Sequence, residues 1–211
     1  MPQISTQEFE RLPLRVHDFL AGVPLHDVWA VDLPRRRSGI TLDEFLRTAT
    51  ARSQVDCHCC ENDSSGKGRL LMRSPVVRVL LNIRFFVGRR LGWDREPAPT
   101  AWETFTTRLT TADRSKSLAP AGTREGLFRV VYHFENEQLL ELINRTAHAA
   151  ALSALLETAN GYRFYFGVYV QNVGRFTPVY MALVDPFRKL IVYPSLLRSI
   201  RASWNQAFGT D

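Results

Sequence analysis

Hydrophobic and polar positions alternate along HDVWAVDL at residues 26–33, so that Trp29, Val31 and Leu33 share one face and Val28 and Ala30 the other. That period of two predicts a first strand. Thr41 and Glu44 fit the reciprocal capping pattern that opens a short helix near residues 42–50, with Ile40 and Phe45 placed to staple its entry. A second, clearer helix is predicted over 75–91. Ser74 caps it, Pro75 occupies a position that needs no N–H, Gly92 follows its end, and Val76, Val79, Leu80, Ile83, Phe86 and Val87 form its buried stripe. Between these helices residues 52–69 are polar and read as a loop. Residues 94–125 are also loop-heavy, with TFTTRLT at 104–110 read as a short strand.

Three stronger strands are predicted near residues 126–134, 138–152 and 161–172, turning at Glu135-Asn136-Glu137 and at Asn160-Gly161 and making an antiparallel meander. The last segment, from Thr177 to Trp204, is helical but punctuated. Thr177-Pro178 and Asp185-Pro186 each set a capping oxygen before a proline, and a third break or kink falls at Pro194. Tyr180, Leu183, Val184, Phe187, Leu190 and Ile191 supply the apolar face expected to lie on the sheet.

With 211 residues, 45% of them hydrophobic and 23% charged, the chain suits one globular domain: a tail over residues 1–12, then a single domain over 13–206. The N-terminus carries Glu8 and Glu10 and no apolar run of signal-peptide length, so a cytoplasmic protein is expected. Arg78, Arg84, Arg89 and Arg90 exclude a membrane span through the most apolar segment. The net charge of +6 favours anionic partners at long range, but no base-readout or aromatic-basic motif accompanies it, and no nucleic-acid partner is expected.

The strings DVWAVDLP, SPVVRVLLNIRFFVGRRLGWD, NRTAH, GYRFYFGVYVQN and YMALVDPFRKLIVYPSLLRSI resemble the bacterial family known as domain of unknown function 2867. That family more distantly resembles the helix-grip superfamily of START domains, birch-pollen-type allergens and polyketide cyclases. The resemblance implies an α+β fold in which a curved antiparallel sheet wraps a long, proline-broken C-terminal helix and holds a hydrophobic or amphipathic small molecule. It brings no activity with it, because one fold hosts many functions.

Candidate chemistry is sparse. On a strand from Leu139 to Leu152, Asn144, Thr146 and His148 point to one face. They are either the polar patch of an apolar pocket, with His148 as the candidate acid-base group, or a satisfied hydrogen-bond ladder. Tyr162, Phe164 and Phe166, with Tyr180 of the last segment, are the candidate apolar lining, or plain core. Tyr165 and Tyr169 share the opposite face of their strand and fit outer-face packing equally well. Cys57, His58, Cys59 and Cys60, followed by Glu61 and Asp63, are the only metal-like cluster, but adjacent cysteines do not easily reach one tetrahedral ion. No metal and no cofactor are expected. Asp185 and Arg188 are read as a cap and an ion-pair partner. No nucleophile elbow or phosphate loop occurs. The leading expectation is a ligand-binding protein; the alternatives are a cyclase, dehydratase or hydrolase using His148, and a noncatalytic protein- or membrane-surface interaction module. Oligomeric state is not legible.

Overall fold

The computed structural model describes residues 3–55, 103–125, 128–143, 148–171 and 185–209. Its centre is a six-stranded antiparallel sheet of β1 (Leu25–Pro34), β2 (Arg124–Glu125), β3 (Phe128–His133), β4 (Glu137–Ile143), β5 (His148–Thr158) and β6 (Gly161–Gln171). The spatial order is β1-β6-β5-β4-β3-β2, so β2 to β6 form a meander and β1 crosses over to lie beside the last strand. Helices α1 (Thr6–Glu10) and α2 (Val16–Phe19) precede β1, α3 (Leu42–Val55) follows it, and a 3-10 turn (Phe105–Arg108) and α4 (Thr111–Lys116) lead into β2. The chain is helical again from residue 185, through a π-turn at Arg188–Val192, into α5 (Tyr193–Phe208).

Alternation along the strands feeds two separate cores. Trp29, Val31 and Leu33 of β1 and Tyr162, Phe164, Val168 and Val170 of β6 face α3 and α5, meeting Phe45, Leu197, Ile200 and Trp204. Val28 and Ala30, with Tyr165 and Tyr169, face the other way, into a cluster with Phe9, Val16, Phe19 and Phe105. Tyr165 and Tyr169 therefore line a second core rather than an outer surface; both are buried. The first twelve residues, expected as a tail, take part in that core. Ile4 donates its N–H to the Val28 carbonyl at 3.3 Å, and Phe9 on α1 is fully buried.

The Thr41 cap is present, with the Glu44 N–H donating to its Oγ1 at 3.2 Å, and Ile40 and Phe45 are buried in one cluster. Two expectations change. TFTTRLT forms a 3-10 turn instead of a strand, because the Phe105 N–H is taken by the Glu141 carboxylate at 2.6 Å and Leu109 donates back to Thr106. The strand expected over 138–152 is two strands. Ile143 pairs antiparallel with His148, so β4 and β5 are neighbouring strands of opposite direction, and an alternating pattern on both arms concealed the reversal. The break or kink expected at Pro194 is present: Pro194 has no N–H for the carbonyl four residues back, and the wider turn at Arg188–Val192 takes up the mismatch just before α5, of which Pro194 is the second residue. The turn at Asn160-Gly161 holds as expected: a Cβ on Gly161 would meet the Leu33 carbonyl oxygen at 2.3 Å. The helix expected over 75–91, the cysteine cluster and Pro178 lie outside the described residues. Among the described residues no helix is long and apolar enough to cross a membrane.

Candidate functional site

Two buried glutamates on β4 fasten the second layer to the sheet. Glu137 accepts the N–H groups of Arg15 at 2.8 Å and Val16 at 2.9 Å and the hydroxyl of Tyr132, anchoring the start of α2. Burial raises its pKa, opposed first by the Tyr132 hydrogen bond and then by the two backbone donors. Glu141 similarly accepts from Phe105 N–H and lies 2.7 Å from His148 Nε2, with the imidazole stacked on the Phe105 ring at 4.0 Å. His148 is 2% exposed and points into this layer, away from α5. Its environment is that of a satisfied structural histidine.

Among the described residues, His148 is not brought together with the expected apolar lining. Tyr162, Phe164 and Phe166 face α3 and α5, on the side of the sheet opposite His148. Tyr162 and Phe164 are core: the Tyr162 hydroxyl accepts the Ile40 N–H at 3.0 Å and donates to the Arg37 carbonyl at 2.9 Å. Phe166 is half-buried. Asn144, Thr146 and Tyr180 lie outside the described residues.

A different constellation forms where β1 meets the start of the C-terminal helix. Leu25 pairs with Tyr169 but Asp27 pairs with Val168, so His26 is the extra residue of a β-bulge. Bulges bend a strand locally and re-aim side chains, and here His26 and Asp27 both reach the helical segment that brings Asp185, Arg188, Lys189 and Tyr193. His26 Nε2 sits 2.9 Å from each Asp185 carboxylate oxygen and 3.6 Å from Asp27 Oδ2. Arg188 bridges both carboxylates, at 3.2 Å from Asp185 and 3.6 Å from Asp27, and the Lys189 ammonium is 3.7 Å from Asp27 Oδ1. The Tyr193 hydroxyl donates to Asp27 Oδ2 at 3.3 Å and accepts from Arg188 Nη2. Burial is the main reason the Tyr193 pKa is raised, with Arg188 acting against it, so the phenol stays protonated.

Ligand atoms of His26, Asp27 and Asp185 lie within 4.8 Å of one another, the spacing a divalent cation needs. Arg188 and Lys189 already supply the positive charge those carboxylates require, so the geometry is that of an ion-pair network. Its balance is incomplete. Asp27 is 2% exposed, yet among the described residues its Oδ1 has no hydrogen-bond donor and the buried Trp29 Nε1 has no acceptor. Orphaned buried polar atoms are rare enough in native proteins to require an explanation.

Next to this cluster the helix-facing side of the sheet is only part covered. Leu140 and Leu142 on β4, Ala149, Ala151 and Ser153 on β5, and Phe166 on β6 are half-buried, and they are cross-strand neighbours in register. The Phe166 ring lies 5.9 Å from that of Tyr193, and Tyr193 lies 5.3 Å from Trp29, so the strip runs without interruption into the charged cluster. Small side chains on β5 leave its floor low. Sequence reasoning assigned Asp185 and Arg188 an ion pair, which is present, but no role to His26 or Asp27. Nothing in HDVWAVDL marks a bulge; the one available signal was a His-Asp pair at the mouth of an otherwise apolar strand.

A family model described as a protein of unknown function (DUF2867) matches residues 19–195. Comparison with curated proteins and with solved structures finds no match.

Proposed function

Starting from the chain's membership of the DUF2867 family, we propose that the protein binds a small amphipathic molecule between the sheet and the C-terminal helix. The apolar part of the ligand lies over Ala149, Ala151 and Phe166, and its polar end reaches the Asp27, Arg188 and Trp29 neighbourhood. One observation carries this reading: a half-open apolar strip with small side chains on β5 ends at two buried polar atoms, Asp27 Oδ1 and Trp29 Nε1, that make no hydrogen bond among the described residues. Apolar walls with a few convergent polar groups are the usual composition of a small-molecule site. The order β1-β6-β5-β4-β3-β2, with a C-terminal helix across one face, supports the helix-grip arrangement that the family resemblance implies.

Native mass spectrometry of the purified protein, followed by extraction, tests for a co-purifying small molecule. The structural test is Ala151→Trp, which fills the strip from its floor. The expected outcome is loss of binding of an amphipathic fluorescent probe, 1-anilinonaphthalene-8-sulfonate, with an unchanged circular dichroism spectrum. Undiminished, stoichiometric probe binding by Ala151→Trp rules the strip out as the site.

A further inference from the structure

Among the described histidines, His26 has one ring nitrogen held by a carboxylate and the other without a hydrogen-bond partner among the described residues. Its side chain is 26% exposed, and Nδ1 has no hydrogen-bond partner among the described residues. A carboxylate held against one nitrogen fixes the imidazole's orientation, selects the tautomer that carries its proton there, and stabilises the imidazolium once the opposite nitrogen has taken up a proton. His148 also meets a carboxylate, Glu141, but it is 2% exposed and stacked on Phe105, which leaves no approach to its ring.

Two backbone irregularities converge on this pair. The bulge in β1 presents His26, and the π-turn Arg188–Val192 lies between Asp185 and Tyr193. Both devices recur beside functional sites because they re-aim side chains at some cost in regular hydrogen bonding. Tyr193, whose ring lies beside those of Trp29 and Phe166 and whose hydroxyl donates to Asp27, links the apolar strip to the carboxylates next to His26.

We infer that His26 is a general base, with Asp185 as its positioning residue, acting through Nδ1 on an amphipathic molecule that carries an acidic proton on carbon or oxygen. Asp185 accepts the Nε2 hydrogen bond, and Asp27 at 3.6 Å adds a second negative charge beside the imidazolium. The proton moves from the ligand to the Nδ1 lone pair, its bonding electrons remain on the ligand, and Nδ1 later returns the proton to product or water. The inference rests on the proposed site for delivering the molecule, but not for the state of the dyad.

The test uses 5-nitrobenzisoxazole, an apolar aromatic probe of general bases. Removal of its C3 proton by Nδ1 turns the C–H electron pair into the nitrile bond as the ring N–O bond breaks, releasing coloured 2-cyano-4-nitrophenolate. Wild type should show saturable elimination, and His26→Gln should lose about ten-fold or more of kcat, since positioned bases contribute at least that much. Asp185→Asn should lower kcat while leaving KM nearly unchanged, whereas His148→Gln should retain wild-type kinetics if still folded. Nitrogen-15 spectra of the wild-type histidine rings give a readout that needs no variant: neutral His26 should carry its proton on Nε2. The Nδ1–H tautomer, or a wild-type rate no higher than that of His26→Gln, overturns the inference. Ala151→Trp separates the two proposals. Unchanged KM in Ala151→Trp beside a lost rate in His26→Gln removes the strip and keeps the dyad; the reverse pattern removes the dyad and keeps the strip.

Discussion

Consecutive residues of β5 live in different environments. Ala150, Leu152 and Ala154 are at most 1% exposed, under a layer sewn down by Glu137 and Glu141, whereas Ala149, Ala151 and Ser153 are half-buried on the side of α5. One face is closed by short segments whose backbone N–H groups are captured by buried carboxylates. The other is closed only in part, by apolar helices. The difference teaches that hydrogen bonds from buried carboxylates close one face fully, while apolar packing leaves the other part covered, and it is on that second side that the proposed ligand is placed. It also explains why His148, on the fastened face, is a poor candidate for chemistry despite its appeal in the sequence.

Removing residues 185–208 attacks the apolar closure directly and should have the largest effect. Tyr193, Leu196, Leu197, Ile200 and Trp204 are all buried, and each large apolar side chain contributes roughly 1.5–3 kcal/mol, together comparable to the ~5–15 kcal/mol net stability of a domain. The truncated chain should show no cooperative thermal transition, and a sharp melt would mean that the sheet stands without its helix.

The two sides of β5 can then be set against each other with one chemistry. Ala150→Leu forces extra volume into the fastened core and should cost about 1–3 kcal/mol in chemical denaturation. Ala151→Leu points to the part-covered side and should cost less than about 0.5 kcal/mol, as surface substitutions do. Equal costs would erase the distinction between the faces. Glu141→Ala leaves the Phe105 N–H and His148 without their acceptor and should cost about 1–3 kcal/mol.

The smallest effect is a pH dependence. Burial raises the Glu137 pKa above its ordinary value, so the folded state binds a proton more tightly than the unfolded chain does. Its favourable contribution is present in full below the unfolded carboxyl pKa and is lost as pH rises through the higher folded one. Across that window the stability of Glu137→Gln should improve relative to wild type, a trend that paired melts at successive pH values will register.

Much of this architecture was legible in the chain because local pattern and tertiary role agree. The two faces of β1, the Thr41 cap, the core aromatics Tyr162 and Phe164 of β6 and the turn at Gly161 follow from alternation and turn chemistry alone. The reversal within residues 138–152 was not legible, since β4 and β5 carry the same alternation on both sides of the turn. Nor was the site. His26, Asp27 and Asp185 converge through a bulge and a helix joined by no local pattern, and a period-two reading assigns His26 a face that the bulge then changes.

The pairing of β1 with β6 also has a consequence for synthesis. His26 and Asp185 are 159 residues apart in the chain, so the first strand leaves the ribosome long before its partner exists. Contacts of such separation form slowly, because the intervening chain must be ordered before they reward it. The β3–β6 meander and its local hairpins are expected to form first, with β1 docking on the edge of β6 and α5 over the face that the two strands share. Until then β1 presents an unpaired, largely apolar edge, and this interval is when the nascent protein is most exposed to aggregation and most dependent on chaperones.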